Sequence, residues 1–397
     1  MTGTPIVRIA AKGDGVTADG RHVAGGVPGD MLLPNGVLEA GPHRAVPPCR
    51  HFARCGGCQL QHADEAALRQ FVTERVTHVA ASQDIAIGEL LETHLSPPQS
   101  RRRATLHGLK AGGKFVLGFR EGGSHRIVDI CECPVLRPEL FALVPPFRTL
   151  LSRIAGRAPI DLALTLTDQG VDCALTGITL EGLGPTEALL DFAREHRLAR
   201  LSLDQGYGGE TLWEPEPVTV TVGGVAVSFP EQGFLQPTDD GEAALVKDAK
   251  AFTEEAATIA DLFAGLGTFA FALAGPAKVL AVEAARDAHL ACKAAANEQR
   301  LPVQALHRDL FRNPLQADEI DRFEAVLLDP PRAGARDQIA AIAASAAQRV
   351  VYISCNPASW ARDAKTLVDA GFRLERLRPV GQFRWSTHVE LTSLFTR

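Results

Sequence analysis

The sequence predicts an α/β protein in three parts: a small N-terminal β-barrel over residues 1–42, an α+β middle domain over 43–230, and a C-terminal Rossmann-like domain over 231–397. Three observations carry this expectation. From about Glu231 onward, strand-like and helix-like segments alternate, the pattern of βαβ units and a mostly parallel sheet. Between 43 and 230 both kinds of segment occur without that alternation. Residues 1–42 are glycine-rich, with short apolar runs suited to short strands and tight turns. A chain of 397 residues also exceeds the usual size of one hydrophobic core.

The N-terminal stretch "PIVRIAAKGDGVTADGRHVAGGVPGDMLL" supplies the barrel strands. Cys49 follows Gly29 by only twenty residues, too few for the remaining strands, so an incomplete barrel is expected. Pro42, Pro47 and Pro48 mark a linker. A cysteine cluster comes next, then a helix through "ADEAALRQFVTERVTHVAAS". In the middle domain "KFVLGFR", "DLALTLTD", "VDCALTG" and "PVTVTVGGVAVSFP" read as strands, and "TEALLDFAREHRL" reads as a helix.

In the C-terminal part, ligands of a doubly wound sheet bind beyond the carboxyl ends of the strands. What each strand end presents therefore locates the chemistry. "ATIADLFAG" ends in a turn where Gly265 and Gly267 let the backbone approach a ligand closely. "KVLAVEA" ends at Glu283, placed like the acid that binds ribose hydroxyls in nucleotide-binding folds. The next strands deliver Asp309, Asp329 in "LLDPPR" and Cys355 in "YISCNP". Singly, each has an ordinary explanation: a tight turn, a helix cap, a buried cysteine. Jointly they describe a site. Ala270 stands at the third-glycine position and no Walker-type lysine follows, which argues against a triphosphate cradle and favours a nucleoside such as S-adenosylmethionine. Cys355 precedes a helix start, a setting expected to lower a free thiol pKa of ~8.5.

Composition excludes other classes. The net charge of −6 gives no global nucleic-acid signature, and no apolar run is long enough to cross a bilayer. No leader-like segment is visible, so a cytoplasmic protein without membrane partners is expected, and a monomer. One segment is basic. Between Pro97 and Asp129, Arg101, Arg102, Arg103, Lys110, Lys114, Arg120 and Arg126 face only Glu121 and Asp129, as on a basic hairpin surface; charge alone suits a solvated face as well as one that binds RNA phosphate. The eight cysteines are unevenly placed: Cys49, Cys55 and Cys58 crowd together, Cys131 and Cys133 lie downstream, and Cys173, Cys292 and Cys355 stand alone. Spacing by itself suits either a four-thiolate zinc site or a [4Fe–4S] cluster.

The chain resembles the RNA uracil-5-methyltransferases that carry an iron–sulfur cluster, in "DLFAGLGTF", "LLDPPRAG", "YISCNPASWARD" and "HVELTSLF" and, upstream, in "CRHFARCGGCQLQH" and "CPVL". The resemblance implies an RNA-binding barrel, a cluster-bearing middle domain and a class I methyltransferase domain. It implies Cys355 as nucleophile and Glu390 as base, which suits the chemistry: uracil carbon 5 becomes nucleophilic only when a thiolate adds to carbon 6, and a base must then remove the carbon-5 proton. It carries cofactor contacts over to Gln236, Phe263, Glu283, Asp309 and Asp329, and to Thr268, where close relatives often have Asn. It selects Cys49, Cys55, Cys58 and Cys133 as ligands of a [4Fe–4S] cluster, Cys133 rather than Cys131 because the family's ligand directly precedes "PVL". Since the tRNA-specific relatives lack this cluster, it implies 23S ribosomal RNA as the substrate, with Arg101–Arg103 on its phosphates. The alternatives are the same reaction on tRNA, and a non-catalytic cluster-containing RNA-binding protein; the presence of both Cys355 and Glu390 speaks against the second.

Overall fold

The computed structural model describes residues 3–397 and divides into two compact units, one of residues 3–71, 96–219 and 383–387, the other of 72–95, 220–382 and 388–397. Among the described residues no helix is long and apolar enough to cross a membrane.

In the first unit the N-terminal segment forms a five-stranded antiparallel sheet, ordered His22–Val23, Gly15–Thr17, Thr4–Ile9, Met31–Leu32, Leu38–Glu39. Apart from the six-residue Thr4–Ile9, strands of two or three residues are all that the short glycine-bounded runs allow. Gly15 is required by a close approach, since a Cβ there would lie 2.7 Å from the Gly26 Cα. The rest of the unit is a seven-stranded sheet with Arg103–Ala111 beside the strands Lys114–Arg120 and Ile160–Thr167. Helices Val144–Ile154 and Leu183–Glu195 contribute Phe147, Leu150, Leu189 and Phe192 to the same buried cluster as Leu106, Leu117 and Leu162 of this sheet.

Strand alternation corrects one expectation here. Arg102 shares the parity of the buried Ala104 and Leu106 and is only 7% exposed, whereas Arg101 and Arg103 fall on the other face and are half-buried. The exposed cations of the basic segment are Lys110, Lys114 and Arg120 on the hairpin of Arg103–Ala111 and Lys114–Arg120, and Arg126 in the turn that follows it.

The second unit holds a nine-stranded mixed sheet, ordered Val303–His307, Lys278–Glu283, Thr258–Leu262, Ala325–Leu328, Arg349–Ser354, Glu390–Thr396, Arg373–Gly381, Ile87–Leu90, with His94–Leu95 also pairing Arg373–Gly381. The first five strands run parallel, as the βαβ alternation predicts. Glu390–Thr396 is inserted antiparallel between Arg349–Ser354 and Arg373–Gly381. Strand order reverses between Thr258–Leu262 and Ala325–Leu328, the place where such sheets open a crevice. Residues 87–95, expected in the middle domain, instead extend this sheet through pairing with Arg373–Gly381.

Candidate active site

Cys355 is the residue after strand Arg349–Ser354, and Glu390 opens the antiparallel strand beside it. Ser354 pairs with Leu391, so the next step of the same register sets Cys355 against Glu390. Asn356 caps the helix Pro357–Asp369 by accepting from the Ala358 N–H, and Pro357 fits the first turn, where its missing N–H costs nothing. The Asn356 side chain also donates to the Arg332 carbonyl at 2.9 Å, as does Ser359 Oγ at 3.0 Å. The buried Asp363 accepts from Ala335 N at 2.8 Å and from the Tyr352 hydroxyl at 2.8 Å. These bonds clamp the "DPPRAG" loop to "SCNPASWARD", which explains why the two motifs act as one piece.

Glu390 is 6% exposed, and Asp329 still meets solvent on one side. Two glutamines join them. Gln236 Nε2 donates to Asp329 Oδ2 at 3.1 Å, while Gln382 Nε2 donates to Gln236 Oε1 at 3.1 Å and also to Glu390 Oε2. Gly241 leaves room for this chain, because a Cβ there would come within 2.4 Å of Gln382 Cγ. Gln382 escaped sequence reasoning; its one signal is that it directly follows strand Arg373–Gly381, at the edge that carries the other groups.

Burial pushes Asp329 up to about 7. Burial, and then the neighbouring Asp329, push Glu390 up to about 8, against the Gln382 hydrogen bond and Arg332. Cys355 departs from the sequence expectation of a lowered thiol: burial first, then Glu390 and Asp329, push it up to about 11, and Arg332 opposes them only in part. The helix start is outweighed by burial and then by two carboxylates. Arg332 itself is held against the His388 ring at 2.9 Å.

The turn after Thr258–Leu262 is strained: Phe263 has φ 63°, which a bulky residue rarely adopts, and Gly265 has φ 56°. Glu283 fixes this turn, accepting from Gly265 N at 2.8 Å and from Ala285 N at 2.6 Å. A Cβ on Gly267 would meet the Phe271 ring at 2.7 Å and Cys292 Sγ at 2.9 Å, so only glycine fits as helix Thr268–Leu273 begins. Asp309 lies two residues past strand Val303–His307 and accepts from Phe311 N at 2.9 Å. That turn sets the Phe311 ring 5.4 Å from Phe263, an aromatic pair that the sequence did not single out. Asp261, within the first strand, is fully buried and pushed well above the ordinary range, chiefly by burial.

The upstream cysteines gather in the first unit. Cys49, Cys55, Cys58 and Cys133 line one cavity of about 40 Å³, partly open to solvent, together with Arg101 and His51. Burial pushes the Cys58 thiol up to about 12 and raises Cys49, Cys55 and Cys133, each also raised by cysteine neighbours in the set. Cys131 is exposed, with its Sγ 3.3 Å from His51 Nε2, and does not line the cavity. Among the described residues no three His, Cys, Asp or Glu side chains converge closely enough to hold a single metal ion. Four thiols around a space of this kind have the donor chemistry that an iron–sulfur cluster requires.

Comparison with known proteins decides the family. Residues 197–397 match the family described as tRNA (Uracil-5-)-methyltransferase. An uncharacterized RNA methyltransferase of Zymomonas mobilis is 50% identical over 393 residues, 99% of each chain. The chain belongs to the RNA uracil-5-methyltransferase family. As a member of that family it is an S-adenosylmethionine-dependent RNA (uracil-C5)-methyltransferase. The 23S rRNA (uracil(1939)-C(5))-methyltransferase RlmD of Erwinia tasmaniensis is 31% identical over 403 residues, 96% of this chain and 88% of that one. The fold matches a tRNA (uracil-54, C5)-methyltransferase of Pyrococcus abyssi, solved with S-adenosyl-L-homocysteine, at a TM-score of 0.77 and 20% identity, over 100% of this chain and 99% of that one.

Proposed function

We propose that this uracil-5-methyltransferase modifies a uridine of 23S ribosomal RNA, with Cys355 as nucleophile and Glu390 as base. The observation that carries the roles is the Ser354–Leu391 register, which brings the thiol and a buried carboxylate to one edge from strands remote in sequence. The Cys355 thiolate adds to uracil carbon 6, forming a C–S bond and leaving carbon 5 electron-rich. Bound S-adenosylmethionine supplies the electrophilic methyl group. Glu390, poised near neutrality, then takes the carbon-5 proton, and its electron pair expels the Cys355 thiolate. Arg332 is the cation beside Cys355 that favours the thiolate.

For the cofactor, Glu283 retains acceptor capacity for ribose hydroxyls beside its two backbone N–H donors, and Phe263 with Phe311 offers an aromatic surface. Gln236, Asp329, Asp309, Gly265, Gly267 and Thr268 complete this set along the same strand ends. Cys49, Cys55, Cys58 and Cys133 hold a [4Fe–4S] cluster in a structural or RNA-positioning role. The ribosomal substrate is supported by the cysteine set and by the full-length similarity to the Erwinia enzyme. Mapping 5-methyluridine in ribosomal and transfer RNA from cells with and without the gene tests it. Loss of a 23S site confirms the reading; loss confined to tRNA overturns it.

A further inference from the structure

Arg101 heads the basic segment, yet it does not behave as a phosphate-seeking surface cation. It is half-buried, its Nε donates to the Arg103 carbonyl at 2.9 Å, and its guanidinium carbon lies 5.1 Å from the centre of the Phe383 ring. It lines the same cavity as Cys49, Cys55, Cys58 and Cys133. Among the described residues no carboxylate forms an ion pair with it; the one acid lining the same cavity, Glu132, pairs with Arg50 at 3.2 Å.

A guanidinium withdrawn from water needs a compensating charge. Four neutral thiols do not provide one. Coordination removes the protons of ligating thiols, and a cluster held by four thiolates carries net negative charge facing Arg101. We propose that Arg101 is the half-buried counter-charge of the cysteine-bound cluster, setting its reduction potential and its retention, rather than a contact to RNA. This rests on the assignment of a [4Fe–4S] cluster to Cys49, Cys55, Cys58 and Cys133. The stacked Phe383 ring holds the guanidinium in place through a cation–π contact.

The direction of the effect follows from charge. When a titrant such as dithionite delivers one electron, the cluster becomes more negative by one unit, and a fixed cation beside it favours that state. Arg101→Met should therefore move the midpoint potential of the anaerobically purified full-length protein to a more negative value. Arg101→Lys, which keeps the charge, should stay nearer to the wild type, and Lys110→Gln, on the exposed hairpin, should leave the midpoint unchanged. Iron and sulfide content are measured alongside. Loss of iron from the Met variant with retention in the Lys variant supports the assignment equally. An unchanged midpoint and iron content in Arg101→Met overturns it, as does equal loss of iron from both variants. A wild-type protein without iron and sulfide sinks the cluster reading itself and this inference with it. If instead the salt slope of RNA binding falls by about 0.7–0.9 in Arg101→Met while the midpoint stays put, Arg101 belongs to the RNA.

Discussion

At the strand edge of the second unit, a thiol and two carboxylates share one cation, Arg332; in the cysteine cavity of the first, four thiols share one cation, Arg101. Burial raises Cys355, Glu390 and Asp329 in the one place and all four cavity thiols in the other. In the first, Asp329 and Glu390 arrive near neutrality, where a carboxyl can accept and release a proton during a turnover. In the second, thiols pushed as high as Cys58 stay protonated unless a metal replaces the proton. Under the proposed assignments, the same desolvation prepares one site to move protons and the other to be completed by a cofactor.

The largest expected effect breaks the first half of that comparison. Cys355→Ala should bind S-adenosylhomocysteine as the wild type does and transfer no methyl group, measured with labelled cofactor and ribosomal RNA. Glu390→Gln should act later in the sequence, attacking and methylating but failing to release, so that a protein–RNA adduct survives denaturing electrophoresis. An adduct on Cys292, which burial pushes up to about 12, would overturn the assignment.

Next in size is the cofactor test of the second half. Cys58→Ser and Cys133→Ser should each lose most of the iron, while Cys131→Ser should keep it, because Cys131 lies outside the cavity beside His51. Stoichiometric zinc in anaerobically prepared protein would replace the cluster reading.

How much of this was legible in the sequence follows from range. Glu283, Asp329 and Cys355 each end or follow a parallel strand, so the strand-end rule found them without contacts. Glu390 has no such local signal; only the antiparallel insertion beside Arg349–Ser354 gives it a partner, and the resemblance alone pointed to it. Gln382 and Phe311 act through tertiary neighbours, the amide chain and the Phe263 ring, and no spacing announces them. The thiol's acidity departs from expectation for a related reason, since a helix start is visible in "CNP" whereas the burial of Cys355, and then the two carboxylates brought in from other strands, are not.

The buried carboxylate also predicts a pH effect on stability. Glu390 rises from an ordinary 4.5 to about 8 in the fold, so between those values the native state keeps a proton that the unfolded chain releases. Stability is then fully present at low pH and is lost as pH rises through about 8. Glu390→Gln removes the titration and keeps a partner for Gln382. Its melting temperature should exceed that of the wild type at pH 9, with the gap closing toward pH 5. At ~1.4 kcal/mol per pKa unit, the difference amounts to several degrees. An equal slope of melting temperature against pH in both proteins would mean that Glu390 is not the group responsible.

The smallest effect separates the exposed half of the basic segment from its buried half. Lys110, Lys114, Arg120 and Arg126 stand in solvent on the hairpin and the turn that follows it, where a phosphate can displace water and counterions without structural cost. Neutralising any one that touches RNA should lower the salt slope of binding by about 0.7–0.9 and weaken binding across sequences alike. Arg102 faces the interior with Ala104 and Leu106, so Arg102→Gln should act through the fold, lowering the melting temperature while the slope stays as it was. If Arg102→Gln lowered the slope and left the melting temperature unchanged, the buried arginine would have to reach RNA by a rearrangement of strand Arg103–Ala111, and the division drawn here between hairpin and interior would fail.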